Sequence, residues 1–123
     1  MNPIITWSAE KFGVEIQTKD EHFVISAQPS MVMPWNDAVR FYKDNKEWRL
    51  PSREELLLVA ANINKVNDII EKNRGYEIQG WHWAFGEDNE SCAWLVNMDD
   101  GYTYGSRKSD LYCVRAVSDL KVK

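Results

Sequence analysis

With 123 residues, 44% hydrophobic side chains and a net charge of −4, the chain carries enough apolar material for one domain, residues 1–123, that folds unaided. The acidic balance excludes a generic binder of nucleic acid or of anionic membranes, since either requires a basic surface. No apolar run has the length of a transmembrane helix, so membrane insertion is not expected.

Residues 1 to 6 carry neither the basic n-region nor the long apolar core of a signal peptide. The expected location is the cytoplasm, unless export follows another route. Two cysteines, Cys92 and Cys113, are too few for a disulfide scaffold and lack zinc-ligand spacing. They read as buried free thiols. No metal and no cofactor is expected.

Taken in order, residues 1–13 give a weak pattern, with Ser8 to Lys11 able to form a helical turn and Trp7 and Phe12 able to pack. Val14 to Gln17 and His22 to Ser26 alternate around polar Thr18 to Glu21, the signature of a β-hairpin. His22, beside charges at a strand edge, reads as a solvated side chain. From Pro34 the period changes: Trp35, Ala38, Val39 and Tyr42 follow the i, i+3, i+4, i+7 stripe of a helix. Pro34 suits its first position. The triplet Trp35-Asn36-Asp37 matches a calcium-binding tripeptide of C-type lectins, but here it opens a helix, so no calcium role is expected.

Trp48-Arg49-Leu50-Pro51-Ser52-Arg53-Glu54-Glu55-Leu56 is the organising stretch. Pro51 keeps Leu50 extended, Ser52 reads as an N-cap, and Glu55 completes a capping box. Trp48 and Leu50 are expected to be buried between helices and sheet. A helix from Arg53 to Ala61 is followed by another from Val66 to Lys72, and Gly75 suits a left-handed C-terminal stop.

After Gly80, Trp81, Trp83 and Phe85 alternate with His82 and Ala84, which predicts a strand with aromatic residues on its buried side. Gly86 to Ser91 is a polar loop. In the strand from Cys92 to Met98, alternation sends Trp94, Val96 and Met98 inward and Leu95 and Asn97 outward. Asp100-Gly101 predicts a two-residue type I′ turn. That turn pairs Asn97 with Tyr104 and turns Tyr102 and Tyr104 outward beside Leu95 and Asn97. Ser106 to Asp110 reads as a loop, Leu111 to Val117 as a closing strand, and residues 118–123 as a frayed tail. Arg49 and Arg115 are expected to contact carboxylates.

Two stretches together resemble a known family. The segment Trp48 to Leu56 resembles the "WRLP(S/T)xxEL" run of a domain found at the C-terminus of Lcl collagen-like proteins. Gly80 to Val117 resembles that family's "YWSSxE…AWxVxFxxGxxxxxxK…VRxV" run, through Trp83, Glu87, Ala93, Trp94, Val96, Gly101, Lys108, Val114, Arg115 and Val117. The chain departs from it at Ala84-Phe85-Gly86 and at Met98. The resemblance implies an α+β, C-type-lectin-like fold of the formylglycine-generating-enzyme type. Its elements would be a twisted, mainly antiparallel sheet, two principal helices and a hairpin-rich C-terminal half. Some relatives are the variable proteins of diversity-generating retroelements, whose last hairpin and loops carry altered ligand contacts.

The positions between the family's fixed residues, together with strand alternation, single out a ligand-binding set: His82, Asp88, Asn89, Glu90, Ser91, Leu95, Asn97, Tyr102, Tyr104, Ser106 and Arg107. Tyrosines would give rigid amphipathic contacts and the polar residues adaptable hydrogen bonds. The implied function is recognition of a protein or glycan ligand without catalysis. The alternative is a structural or adhesive subunit that offers the same face to a fixed partner. An enzyme of the formylglycine-generating type would need Cys92 and Cys113 as a copper- and substrate-engaging pair, and neither lies in a recognisable motif.

Overall fold

The computed structural model describes residues 2–120. In chain order the elements are β1 (Ile4–Ser8), β2 (Gly13–Gln17), β3 (His22–Ser26), β4 (Met31–Met33), α1 (Trp35–Tyr42), α2 (Arg53–Ala61), α3 (Ile63–Lys72), β5 (Trp81–Glu87), β6 (Cys92–Asn97), β7 (Thr103–Arg107), β8 (Tyr112–Val114) and β9 (Val117–Asp119). They form two sheets, ordered β1-β2-β3-β9 and β4-β8-β5-β6-β7. All named pairs are antiparallel except β5 with β8. The fold is α+β, consistent with the C-type-lectin-like expectation. Among the described residues, no helix is long and apolar enough to cross a membrane.

The expected first hairpin forms, with Val14 opposite Ile25 and Ile16 opposite Phe23. Residues 4–8 join it as a strand, and the chain turns at residues 9–12, close to the turn expected at 8–11. Trp7 and Phe12 do pack, edge to face with ring centroids 5.2 Å apart. His22 is half-buried, not solvated, because its Nε2 lies 2.8 Å from the Glu15 carboxylate.

Helix α1 buries Trp35 and Ala38, and the Trp35 indole N–H donates to the Ala84 carbonyl at 2.9 Å. Pro34 stands at the N-cap, one place before the expected position, with an extended ψ of 155°. Asp37 lies within 3.6 Å of Arg40, one helical turn on. Among the described residues, no three His, Cys, Asp or Glu side chains converge.

The capping box at α2 is complete: Ser52 Oγ accepts from the Glu55 amide and Glu55 Oε1 from the Ser52 amide. Arg49 extends it. Its guanidinium donates to both oxygens of Glu55 at 2.8 and 2.7 Å and to both of Asp119 at 2.9 and 2.6 Å. Backbone bonds of 2.9 Å run each way between Arg49 and Val117. Leu50 is buried as expected, whereas Trp48 is half-buried beneath the Lys11 ammonium, 5.8 Å from the ring centroid.

Helix α3 begins three residues earlier than expected, directly after Asn62, whose side-chain amide donates to the Leu58 carbonyl. It closes with a Schellman-type stop. Gly75 N–H donates to the Ile70 carbonyl and Arg74 N–H to that of Glu71. The left-handed residue is Arg74, at φ 63°, not Gly75. Gly75 is needed for close approach instead, since a Cβ there would lie 2.8 Å from that of Ala27.

The chain end is not one strand. It breaks at Arg115-Ala116, so that β8 serves the larger sheet and β9 the smaller. Arg115 is buried and, among the described residues, meets no carboxylate; it donates to the carbonyls of Ser26, Tyr76 and Glu77 and to Ser30 Oγ. The expected fraying from 118 is also overturned, because Ser118 is buried and Asp119 is held by Arg49. Residues 121–123 lie outside the described residues.

Two cores result. One, with Ile16, Phe23, Leu56, Ile70, Val96 and Met98, is shared by the smaller sheet, α2, α3 and one face of the larger sheet. The second packs the other face of the larger sheet, through Trp83, Leu95 and Val114, against Trp35, Ala38 and Leu50.

Two substitutions grade the Arg49 cluster. Ser52→Ala is expected to cost about 1 kcal/mol, a lost N-cap. Arg49→Ala leaves the buried Glu55 without its cation. The half-exposed guanidinium puts that cost near the low end for broken ion pairs, at about 2–3 kcal/mol. Urea unfolding checks both, and an Arg49→Ala cost no larger than that of Ser52→Ala would contradict this account.

Candidate ligand-binding surface

The β6–β7 hairpin sets the geometry. Only Gly101 takes a positive φ, 80°, whereas a type I′ turn needs two such residues. The turn is therefore longer, spanning 98–101, and Leu95 rather than Asn97 faces Tyr104. The Asn97 amide bonds the Tyr102 carbonyl, and the Gly101 amide bonds the Asn97 carbonyl. This register differs from the expected one by two residues, which preserves the side of every residue. Tyr102 and Tyr104 thus share a face with Leu95 and Asn97.

Across that face, Asn97 stands opposite Trp81, and Trp83 opposite Leu95. Helix α1 and Leu50 cover Trp83 and Leu95. Beyond their reach, Trp81 and Asn97 are half-buried, while Tyr102 and Tyr104 are 71% and 62% exposed. Trp81 and Tyr104 meet at an angle with centroids 6.3 Å apart. The outcome is an open aromatic platform of Trp81, Tyr102 and Tyr104 around the Asn97 amide. Trp81 was missed because alternation assigned it wholly to the buried side. Strand β1 belongs to the smaller sheet and pairs there with β2.

The remaining candidates divide. Asp88, Asn89, Glu90 and Ser91 are exposed in the β5–β6 loop, which the Cys92 carbonyl closes by accepting from the amides of Asp88 and Asn89. Lys108 braces it, pairing with Glu87 and donating to the Glu90 carbonyl at 2.7 Å. The same ammonium sits 4.8 Å from the Trp35 ring centroid. The Asp88 carboxylate lies over Gly105, where a Cβ would meet it at 2.3 Å. Gly105 and exposed Arg107 alternate with Tyr104 and so face the opposite way. The expected single site is therefore two surfaces on opposite sides of β7.

Three expected contacts are buried: His82, Leu95 and Ser106. Leu95 fails because both faces of the larger sheet are covered, so alternation no longer distinguishes core from solvent. Phe85, expected on a buried side, is 58% exposed, since the β5–β6 register shifts between Trp83 and Glu87. Ser106 turns inward to donate to Asp110 at 2.9 Å.

His82 Nδ1 lies 3.2 Å from the Gly80 carbonyl, which only accepts, so that nitrogen carries the proton. Ser30 then donates to Nε2 at 2.9 Å while accepting from Arg115 Nε at 3.0 Å. Burial, aided by the Arg115 charge and opposed by the Gly80 carbonyl, pushes the imidazole down to about 4. This Ser–His pair fastens the turn before β4 to β5.

Both cysteines are free and half-buried. Cys92 pairs in register with Arg107, and Cys113 with Val32 and His82, so the fold does not bring the sulfurs together. Burial raises the Cys113 thiol above its usual range, against a smaller lowering by Arg115. An apolar groove of about 410 Å³ runs between Val39, Tyr42, Leu50 and Phe85, and neither Tyr102 nor Tyr104 lines it.

The fold and this surface define an α+β domain with a doubly covered sheet and one open aromatic corner. The chain belongs to the Lcl C-terminal domain family, whose model matches residues 5–118. Membership is consistent with a recognition or binding domain. No curated protein matches the chain.

Stability separates the faces. The double variant Tyr102→Ala/Tyr104→Ala is expected to lose about 0.5 kcal/mol per site, and Leu95→Ala about 2–5 kcal/mol through the cavity it opens. Thermal melts decide, and a reversed order would mean that the tyrosines are core. Melts against pH test His82. Between its ordinary value of 6.5 and about 4, the unfolded chain takes up a proton that the folded chain refuses. Stability from this group therefore falls as pH falls through that window, by about 3 kcal/mol in all. His82→Gln is expected to be less stable at neutral pH but to lose less on acidification. An equal loss in both proteins would refute the assignment.

Proposed function

We propose that the chain is a recognition domain that binds a protein or glycan ligand through the aromatic platform at the β6–β7 hairpin, without catalysis. The observation that carries this reading is the exposure of Tyr102 and Tyr104 on a sheet face whose neighbouring rows are covered. Two tyrosines left in water add nothing to the core, yet they are the side chains that most often dominate interfaces. Trp81 extends the platform, and Asn97 adds an amide at its centre. The resemblance to variable proteins of diversity-generating retroelements supports the same hairpin. The loop of Asp88 to Ser91 with Arg107 forms a secondary surface.

The non-catalytic part of the proposal rests on what surrounds the nucleophilic groups. Cys92 and Cys113 lie in different strand pairings, and the Cys113 thiol is held protonated by burial. The fully buried His82 spends both ring nitrogens on Ser30 and Gly80.

Screening the wild type against a glycan array and a displayed-protein library tests the proposal. Any specific binder is expected to lose affinity by more than about tenfold for Tyr102→Ala/Tyr104→Ala, as for a hot-spot pair. Binders that the double variant retains at full affinity would move the site elsewhere.

A further inference from the structure

We propose that the platform recognises a cationic partner, namely an arginine- or lysine-bearing peptide segment; this rests on the platform being the binding face. The argument is charge complementarity at the two ends of the aromatic row. Asp100 Oδ1 accepts from the Tyr102 amide at 2.9 Å. Asp99 Oδ1 accepts from the Gly80 amide at 3.4 Å, and Gly80 directly precedes Trp81. A carboxylate therefore stands beside each end of the Trp81–Tyr104–Tyr102 row. Each uses one oxygen on a backbone amide. Among the described residues, neither forms a salt bridge.

Three nearby cations are withdrawn from the row. Arg107 faces the other side of β7, 3.9 Å from Asp110. Lys108 is committed to Glu87 and Trp35. Arg115 is buried against carbonyls.

Aromatic faces attract guanidinium and ammonium groups through the ring quadrupole, and the attraction grows as the contact is desolvated. Unpaired carboxylates at the rim add long-range attraction and reject anionic partners. A neutral sugar would gain from the rings but not from the rim. An anionic glycan would be repelled by the rim.

The probe is a peptide of alternating arginine and serine, with a matched glutamate–serine peptide as its opposite, measured by calorimetry at low and high salt. The wild type is expected to bind the basic peptide, with affinity falling in salt, and to ignore the acidic one. Asp99→Asn/Asp100→Asn is expected to weaken binding by about threefold or more. Tyr102→Ala/Tyr104→Ala is expected to weaken it by more than about tenfold. Asp44→Asn, on the loop after α1, controls for net charge and is expected to change nothing; melts confirm that each variant folds. No binding of the basic peptide at low salt, or equal weakening by Asp44→Asn, would overturn the cationic assignment. Capture of a neutral glycan in a tyrosine-dependent way, with the basic peptide ignored, would do the same while leaving the platform intact. Full affinity in the tyrosine double variant would overturn both.

Discussion

The fold depends on one guanidinium. Arg49 sits on an extended segment with no regular structure of its own, yet it ties two elements together, α2 and β9. Its backbone bridges to Val117, its fork holds Glu55 at the start of α2, and its other edge holds Asp119 on β9. Only arginine offers donors in a rigid planar fork that can meet two carboxylates bidentately. The two acids raise the already strong hold of Arg49 on its proton, and Arg49 lowers the Asp119 carboxyl below its usual range. Glu55 thereby serves twice, capping α2 and neutralising Arg49. Without the cation, a buried carboxylate would remain at the junction of the two sheets.

Arg115 does the complementary work on the opposite flank. It occupies the kink where the chain leaves the larger sheet for the smaller, a place where backbone carbonyls have no strand partner. Its donors bond the carbonyls of Ser26, Tyr76 and Glu77, and the buried Ser26 oxygen would lose a hydrogen bond without it. With no carboxylate beside it, burial lowers its pKa to about 10, still far above neutrality. One arginine thus ties α2 to the smaller sheet through acids, and the other, at the crossing between the sheets, bonds peptide oxygens. The larger sheet is held between two cores as a result. The short α1 covers the Trp83–Leu95 row, Trp81 packs half-buried at the margin of that core, and Tyr102 and Tyr104 are left exposed.

Elements governed by local chemistry were legible in the sequence. The capping box at Ser52, the α1 stripe, the first hairpin and the span of α2 each depend on residues a few positions apart. What failed depends on distant partners. Leu95 was assigned to solvent because alternation assumes one wet face, and here α1 supplies a second dry one. His82 and Ser106 were assigned to the surface because their partners, Ser30 and Asp110, have no signature in the sequence. The closing strand was drawn unbroken because nothing near Arg115 announces that its backbone neighbours lie in two sheets. Trp48 was overburied, and Arg115 was matched to a carboxylate when carbonyls hold it. The tyrosine face survived a wrong turn type because an error of two residues preserves parity, where an error of one would have inverted it.

The resemblance invites the inference that positions between fixed residues are free to carry contacts, and the structure restricts that inference. The fixed Arg49, Glu55, Glu87, Lys108 and Arg115 each hold a charge or a carbonyl that would otherwise lose its partner. The interval residues are of two kinds. His82, Leu95 and Ser106 are buried, whereas Tyr102, Tyr104 and the loop from Asp88 to Ser91 are exposed. Exposure, not position in the pattern, marks what a ligand can reach. The two exposed groups lie on opposite sides of β7, which ends its sheet and has one unpaired edge. A ligand confined to one face meets either the tyrosines or the loop. A partner touching both must straddle that edge, where the outward amides and carbonyls of β7 offer the hydrogen bonds of an added strand.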